Sequence, residues 1–163
     1  MPTTSAAQRI GARVLLLDPE GRVLLVHARD PDEPAHHWWE LPSGRVDEGE
    51  SLESAARREL GEEAGIALEE LGRKVFVRES RFVYRGRNHH RVDHVFLARL
   101  TGTEKQVQLA LSPNEKAGVI ERRWWSAADL RRCTDKLLPA TLPELLEDVL
   151  ADRLGNVARV LTD

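Results

Sequence analysis

The sequence lacks the residues and segments that mark secreted and membrane proteins. Cys133 is the only cysteine among 163 residues, so no disulfide can form within the chain and nothing points to an oxidising compartment. No apolar run approaches the roughly 20 residues of a membrane-spanning helix. The first residues do not place a basic segment before an apolar one. We therefore expect an unprocessed, cytoplasmic protein that does not enter a membrane.

The chain also lacks an excess of charge of one sign. Its 24 basic and 27 acidic residues leave a formal net charge of −3. Such a balance attracts neither a nucleic-acid polymer nor an anionic membrane over the whole surface. Any anionic partner must be bound by a local group of residues, and we expect that partner to be a small molecule.

The order of predicted elements indicates a single α/β domain over residues 1–163. A chain of this length with 41% hydrophobic residues can bury one core. Short apolar runs between turn residues predict strands, whereas Leu142 to Leu154 has the period of an amphipathic helix. We expect a mixed sheet between helices. The predicted strands are 14–17, 23–26, 38–41, 75–77, 82–84, 92–100 and 119–125, the helices are 51–65, 126–132 and 142–154, and the main loops are 30–37 and 101–116.

The helix predicted from Ser51 to Gly65 carries acids where a surface helix is usually apolar. On a helical wheel of about 100° per residue, Glu59 and Glu63 continue the inward stripe of the first turns, and Glu62 lies beside it. Carboxylates in such positions need a hydrogen bond, an ion pair or a cation. The pattern favours Mg²⁺ or Mn²⁺, since the helix has no His or Cys for Zn²⁺. A solvated acidic helix is the alternative.

The residues around this helix resemble the Nudix box. From Gly44, five residues lead to Glu50, and seven more lead to the run RELGEEAGI that begins at Arg58. This is the complete pattern of Gly, five residues, Glu, seven residues and Arg-Glu-U-x-Glu-Glu-x-Gly-U, where U is a bulky aliphatic residue. Ser43 departs from the glycine that many members carry before the box. The resemblance to Nudix hydrolases implies an α/β/α sandwich with a mixed central sheet.

The resemblance also implies roles for individual residues. The ligands of Mg²⁺ or Mn²⁺ would be Glu59, Glu62 and Glu63, which would also be catalytic. Four neighbours would complete the site: Glu50 as a supporting carboxylate, Arg58 as an orienting partner of the acids, Gly44 in the turn, and the backbone carbonyl of Ser43 as a further metal ligand.

The reaction implied by the resemblance is hydrolysis of a phosphoanhydride bond, commonly in a nucleoside diphosphate linked to another group. A divalent cation lowers the pKa of water and neutralises phosphate oxygens, while a carboxylate accepts the proton. The general base stays open between the helix acids and Glu115, with Glu121 as a second candidate. The alternative function is a nucleotide-sensing module that binds without hydrolysis. A homodimer is compatible with the resemblance, and the sequence does not identify the nucleotide.

A basic segment follows the acidic one. Residues 47–70 contain nine acids and two bases, a net charge of −7, whereas residues 71–91 contain seven bases and one acid, a net charge of +6. Guanidinium groups match phosphate oxygens in bidentate geometry, so we expect Arg81, Arg85 and Arg87 to bind the substrate. Strand alternation would put these arginines on one side, opposite Phe82 and Tyr84. Solvation of an edge strand is the alternative explanation.

Overall fold

The computed structural model describes residues 7–104 and 108–162, apart from the side chain of Asn114. Within these residues, four strands precede the first helix, and strands and shorter helices follow it. The strands are β1 (Gln8–Leu17), β2 (Val23–Asp30), β3 (Glu33–Glu40), β4 (Ser43–Arg45), β5 (Lys74–Tyr84), β6 (Arg87–Arg99), β7 (Val119–Trp125), β8 (Leu137–Leu138) and β9 (Arg159–Thr162). The helices are α1 (Leu52–Ala64), α2 (Pro113–Gly118), α3 (Ala127–Arg132) and α4 (Leu142–Leu150).

The strands form one mixed sheet in the order β8-β3-β2-β1-β6-β5-β9, with β4 beside β1 and β7 beside β2. β1 and β6 run parallel, whereas β2 is antiparallel to both β3 and β7. The link between these two groups is narrow, because β1 meets β2 at the pair Leu17 and Val23. The sheet therefore divides into two halves, and β4 pairs with the part of β1 from which β2 has diverged.

Helices cover both faces of β1, which confirms the predicted α/β fold with a mixed sheet between helices. Val14 and Leu16 pack with Leu60 of α1 in one apolar cluster, while Leu15 and Leu17 belong to a second cluster with α4. The division follows from the two-residue period of a strand, whose alternate side chains leave opposite faces. Burial of one such aliphatic side chain contributes about 1.5–3 kcal/mol.

Helix α1 begins and ends where the sequence predicts. Oγ of Ser51 accepts a hydrogen bond from the backbone N–H of Ser54 at 3.1 Å and so caps the first turn. Gly65 has φ 73°, the left-handed conformation that ends many helices. Glu59 and Glu63 are buried, which confirms the prediction from the helical wheel.

The loop predicted at residues 30–37 is shorter than expected. β3 already begins at Glu33, and its pairing with β2 shifts register between Arg29 and Asp30. Oδ1 of Asp30 accepts a hydrogen bond from the N–H of Asp32 at 2.9 Å, which supports a tight turn. Prolines and a bulge interrupt the alternating pattern, so the sequence did not reveal this part of the strand.

Smaller differences lie in the second half of the chain. α2 occupies part of the loop predicted at 101–116, of which residues 105–107 lie outside the described residues. α4 ends at Leu150 rather than Leu154, and β9 is too short to show a strand pattern. In the part of the chain that the structure describes, no helix is both long and apolar enough to cross a membrane.

Candidate active site

Three carboxylates from two separate elements meet at one point. Glu59 and Glu63 lie one turn apart on α1, and Glu115 comes from α2. One carboxylate oxygen of each lies within 4.8 Å of the other two. We call these three residues the carboxylate cluster. The fold thus places Glu115, the candidate base from the predicted loop, beside two of the three acids of α1.

Glu115 is positioned by the local structure of its own short helix. Oγ of Ser112 accepts a hydrogen bond from the N–H of Glu115 at 3.2 Å, and Oε1 of Glu115 accepts one from the N–H of Ser112 at 3.0 Å. This reciprocal capping box fixes the side chain at the start of α2. Glu121, the second candidate, lies in β7 instead, where its carboxylate pairs with Arg123 at 2.7 Å.

Strand β4 packs closely against the acids of α1. The backbone N–H of Ser43 donates to Oε1 of Glu63 at 3.3 Å. A Cβ on Gly44 would lie 1.8 Å from Cδ of Glu59, so only glycine leaves room for that carboxylate. Gly44 lies within a strand and not in a turn, which corrects the expectation that it shapes one. The position requires glycine for space, not for an unusual backbone angle.

Arg58 holds the acids around it in fixed orientations, as the resemblance implied. Its Nε and one terminal nitrogen donate to the Glu50 carboxylate at 2.8 and 3.1 Å. The other terminal nitrogen donates to Glu59 at 2.9 Å and to Glu62 at 3.0 Å. A bond to the carbonyl of Arg45 at 2.9 Å ties the guanidinium to β4. The hydrogen bonds from Arg58 to Glu50 lower the pKa of that carboxyl below its ordinary value.

Glu62 differs from the other two helix acids. Its side chain is 35% exposed, whereas that of Glu59 is 11% exposed. The carboxylate of Glu62 is held by Arg58. Among the described residues, the group of oxygens within 4.8 Å contains Glu115 in the place where Glu62 was expected.

The carboxylate cluster holds more negative charge than its protein neighbours neutralise. Burial raises the pKa of Glu59 to about 7, even though Arg58 acts in the opposite direction. Burial also raises the pKa of Glu63 well above its ordinary value, and the hydrogen bond to Glu115 and the charge of Glu40 add to this effect. Arg58 beside Glu59 and Arg13 near Glu63 therefore do not outweigh the burial and the neighbouring acids.

This donor set fits a hard divalent cation. Carboxylate oxygens are the ligands that Mg²⁺ and Mn²⁺ prefer, and a cation would offset the burial and the neighbouring acids that raise the pKa of Glu59 and Glu63. Glu59, Glu63 and Glu115 lie close enough to share one ion. Ser43 lies next to them through its bond to Glu63.

Several polar residues that the sequence analysis did not single out surround the carboxylate cluster. Glu40, at the end of β3, accepts a hydrogen bond from the indole N–H of Trp38 at 2.8 Å and lies 3.7 Å from the buried guanidinium of Arg13. Nε of Arg122 donates to the backbone carbonyl of Glu63 near the end of α1. The sequence could have indicated these residues only through the alternation of side chains along a strand. Alternation places Glu40 on the same face as Trp38 in β3, and it places Arg122 and Glu121 on opposite faces of β7.

The basic hairpin does not place its arginines as predicted. Arg85 and Gly86 form a two-residue turn with φ 54° and 74°, as in a type I′ hairpin. Arg87 is then the cross-strand partner of Tyr84 and shares its face, whereas Arg81 points to the other face. The expectation that all three arginines share one side was wrong, because the turn comes before Arg87 and reverses the alternation.

The tip of this hairpin lies close to the elements that carry the carboxylate cluster. The N–H of Arg85 donates to Oδ2 of Asp30 at 2.9 Å. A Cβ on Gly118, at the end of α2, would lie 3.0 Å from the hydroxyl of Tyr84. The ring of Tyr84 also meets Trp38 edge to face, with centroids 6.2 Å apart. Tyr84 therefore borders the helix that supplies Glu115, and the hairpin turn is bonded to the end of β2.

The sequence is similar to those of known proteins. A sequence model described as the NUDIX domain matches residues 7–149. The RNA pyrophosphohydrolase of Caulobacter vibrioides is 52% identical over 61 residues, which are 37% of this chain and 34% of that relative. The RNA pyrophosphohydrolase of Roseobacter denitrificans is 31% identical over 128 residues, covering 72% of this chain and 76% of the relative. The first of these matches thus spans about a third of the relative's length.

A solved structure extends the similarity to the fold. The crystal structure of a MutT NUDIX hydrolase from Burkholderia pseudomallei is 27% identical to this chain and superposes with a TM-score of 0.58. The superposition covers 88% of this chain and 98% of that structure. The α/β/α arrangement around α1 is therefore shared.

Proposed function

The chain belongs to the NUDIX family, and we propose that it hydrolyses a phosphoanhydride bond of a nucleotide with a divalent cation as cofactor. The observation that supports this proposal most strongly is the convergence of Glu115 with Glu59 and Glu63. An acidic helix that served only as a solvated surface would not bury two of its carboxylates beside a third.

Mg²⁺ or Mn²⁺ is the proposed cofactor, held by Glu59, Glu62 and Glu63, with the carbonyl of Ser43 as a further ligand. When bound, such an ion neutralises phosphate oxygens and lowers the pKa of water. The chain itself supplies the framework, since Arg58 fixes Glu59 and Glu62 while Gly44 leaves space for the Glu59 side chain.

Glu115 is the proposed general base. Its carboxylate is half-buried and lies with the two most buried acids of the site. A base must reach the water that attacks phosphorus, and a carboxylate beside the proposed metal ligands can do so. Because Glu115 comes from α2 and not from α1, it can accept a proton while the α1 acids keep their own role.

The substrate is proposed to be a nucleoside diphosphate linked to another group, or a nucleoside triphosphate. Arg85 and Arg87, at the hairpin tip beside α2, are the proposed phosphate contacts. Arg81 was also predicted to bind substrate. It lies on the face of β5 opposite to that of Tyr84 and Arg87, so a substrate could contact Arg81 and Arg87 together only by wrapping around the edge of the sheet. The name of the two relatives makes RNA with a 5′-triphosphate a further candidate.

A substrate panel tests this proposal. Purified protein with Mg²⁺ or Mn²⁺ is incubated with nucleoside triphosphates, dinucleoside polyphosphates, nucleotide sugars, ADP-ribose and 5′-triphosphorylated RNA, and the phosphate or pyrophosphate released is measured. We expect turnover of at least one class, and loss of that turnover with EDTA. Binding of a nucleotide without turnover of any member would instead support the sensing module.

A pair of variants tests the base within the same assay. Glu115→Gln should lower kcat by about 10²- to 10⁴-fold, the range for loss of a general base. Glu121→Gln is the matched control, because Glu121 faces away from the carboxylate cluster and pairs with Arg123. Equal activity of both variants and wild type would show that the base is elsewhere. The homodimer stays a prediction, which analytical ultracentrifugation can test.

A further inference from the structure

Two histidines lie together on the antiparallel half of the sheet, outside the carboxylate cluster. His27 of β2 is the cross-strand partner of Trp39 in β3, and His37 lies two residues before Trp39 on the same face. Diagonal neighbours of this kind are within reach of long side chains. Nε2 of His27 lies 3.0 Å from Nδ1 of His37, so one imidazole donates a hydrogen bond to the other.

A carboxylate from a distant part of the chain completes this group. The backbone N–H of Trp39 donates to the carbonyl of Lys136 at 2.9 Å, which holds the segment before β8 against β3. The indole N–H of Trp39 donates to Oδ2 of Asp135 at 3.1 Å. One ligand atom from each of His27, His37 and Asp135 lies within 4.8 Å of the other two.

The indole of Trp39 contacts both His27 and Asp135 and so fixes their orientation. The imidazole of His27 stacks on the indole with ring centroids 4.3 Å apart and planes 14° from parallel. Trp39 is itself buried, with 2% of its surface exposed. A buried neighbour that orients an imidazole and bonds a carboxylate is the kind of support that metal ligands receive in proteins.

We propose that His27, His37 and Asp135 form a binding site for a borderline transition-metal ion such as Zn²⁺. Two imidazole nitrogens bound to tetrahedral zinc at about 2.0–2.1 Å lie about 3.3 Å apart, close to the 3.0 Å between Nε2 of His27 and Nδ1 of His37. Two imidazoles and a carboxylate are accepted zinc ligands, and water would take the fourth position. Asp135 is exposed, so an ion can enter from solvent.

This site shares no residue with the carboxylate cluster. Trp38 and Glu40, which face that cluster, alternate along β3 with His37 and Trp39 and leave the opposite face. The chemistry also separates the two sites, because nitrogen ligands favour Zn²⁺ and an all-carboxylate set favours Mg²⁺ or Mn²⁺. An ion here would link β2, β3 and the segment before β8, and so stabilise the fold.

The charges that face the histidines do not exclude a cation. Glu121 is the cross-strand partner of His27 on β7 and presents its carboxylate to the same face. Two guanidiniums also belong to that face: the exposed Arg29, which is the cross-strand partner of His37, and Arg123. Arg123 bonds Glu121 at 2.7 Å and lies over the ring of Trp39, 5.0 Å from its centroid. Arg123 is thereby held by an acid and an aromatic ring.

Zinc titration of the full chain tests the proposal. Mg²⁺ is added in excess to occupy the carboxylate cluster, and Zn²⁺ is then titrated by calorimetry. We expect one equivalent to bind, and His37→Gln to weaken that binding by at least about 100-fold, beyond what loss of an outer contact costs. His94→Gln is the matched control, since His94 is a half-buried histidine on β6. The imidazole NMR signals of His27 and His37 should shift with Zn²⁺, while those of His94 should not.

A second variant keeps the test decisive if His37→Gln folds poorly. Asp135→Asn retains an oxygen that accepts the bond from Trp39 but loses the anionic ligand. Zn²⁺ should raise the Tm of the wild type and of His94→Gln, and leave the Tm of Asp135→Asn unchanged. Equal Zn²⁺ affinity in wild type and Asp135→Asn, or no zinc binding by the wild type in excess Mg²⁺, would overturn the proposal.

Discussion

Two groups of buried charge in this protein meet the cost of burial in opposite ways. In one, Asp93 lies between two arginines: its Oδ2 is 3.2 Å from Nε of Arg13 and its Oδ1 is 2.9 Å from a terminal nitrogen of Arg91. Burial alone would raise the pKa of Asp93, but these guanidiniums hold it below the ordinary value. In the other group, the carboxylate cluster, burial and neighbouring acids raise the pKa of Glu59 and Glu63.

The comparison contrasts a buried acid that is paired within the chain with buried acids that are not fully paired. Asp93 is fully buried and finds its counter-charges within the chain, so its role is structural. The carboxylate cluster has too few counter-charges, which is the pattern expected where substrate or a cation supplies the missing charge. The two groups are neighbours, since Glu40 lies 3.7 Å from Arg13 and also raises the pKa of Glu63. Charge balance, and not location, separates them.

The largest effect should come from removing one acid of the carboxylate cluster. We expect Glu63→Gln to lower kcat by about 10³- to 10⁴-fold, or about 4–5.5 kcal/mol in the barrier, since a cation ligand is lost. The fold should persist, because the variant relieves repulsion. Steady-state kinetics with the best substrate and a thermal melt measure both effects. Glu53→Gln, on the exposed first turn of α1, is the control, and a similar loss in that variant would remove the contrast.

Removal of Asp93 from the paired group should lower the stability of the fold more than the activity. Asp93→Ala leaves the guanidinium of Arg13 buried without its main partner, and we expect the free energy of unfolding to fall by about 3–5 kcal/mol. Urea denaturation measures this loss. Asp32→Ala, which removes an exposed acid 3.7 Å from Arg85, should cost less than about 1 kcal/mol. Equal losses in the two variants would mean that Asp93 does not stabilise its arginines.

The raised pKa of Glu59 predicts a pH dependence with a definite sign. The folded protein binds this proton more tightly, with a pKa of about 7 against 4.5 for the ordinary group. Its contribution to stability is therefore complete below about pH 4.5 and lost as the pH rises through about 7. Without divalent cations, stability should fall over this interval by on the order of 3 kcal/mol.

Magnesium should reduce that loss, because a cation at the carboxylate cluster replaces the proton as counter-charge. Melts at several pH values, with EDTA or with excess Mg²⁺, provide the measurement. Glu59→Gln should show a weaker pH dependence than the wild type in EDTA. A fall in stability that is the same in EDTA and in Mg²⁺ would contradict a cation site there.

The smallest of the four effects should come from Gly44→Ala. A Cβ at this position would push Glu59 aside, and displacement of a catalytic group by about 1 Å costs up to about 100-fold in rate. We expect kcat to fall by about 10- to 100-fold with little change in Tm, since the Glu59 side chain can move before the backbone does. Unchanged kcat would show that the position of Glu59 is less constrained than its packing indicates.

Local features were predicted well from the sequence. The bounds of α1 follow from a serine cap, a C-terminal glycine and an apolar stripe, which all act within a few residues. The helix predicted at residues 126–132 and the strand predicted at residues 119–125 also match α3 and β7, with Ser126 as the cap of α3 instead of its first residue. Glu115 was chosen from the resemblance, and its position beside Glu59 and Glu63 agrees with that choice.

Features that depend on register were predicted poorly. The side of Arg87 was wrong because a turn one residue earlier reverses every following side chain. The first five residues of β3, 33–37, were predicted as a loop because a bulge interrupts the alternating pattern there. Neither error could be avoided by examining the sequence of one strand alone, since the register of a strand is set by its pairing with the partner strand.

The sequence by itself determined which helix carries the acids and which face of that helix they occupy, because helix caps and helical periodicity are local properties. Only the tertiary structure decided which other groups meet them. The approach of Gly44 to Glu59, the arrival of Glu115 from α2 and the grouping of Asp135 with His27 and His37 all join distant segments. Such contacts depend on the packing of the whole sheet, and that packing also decides which buried charges are paired and which are not.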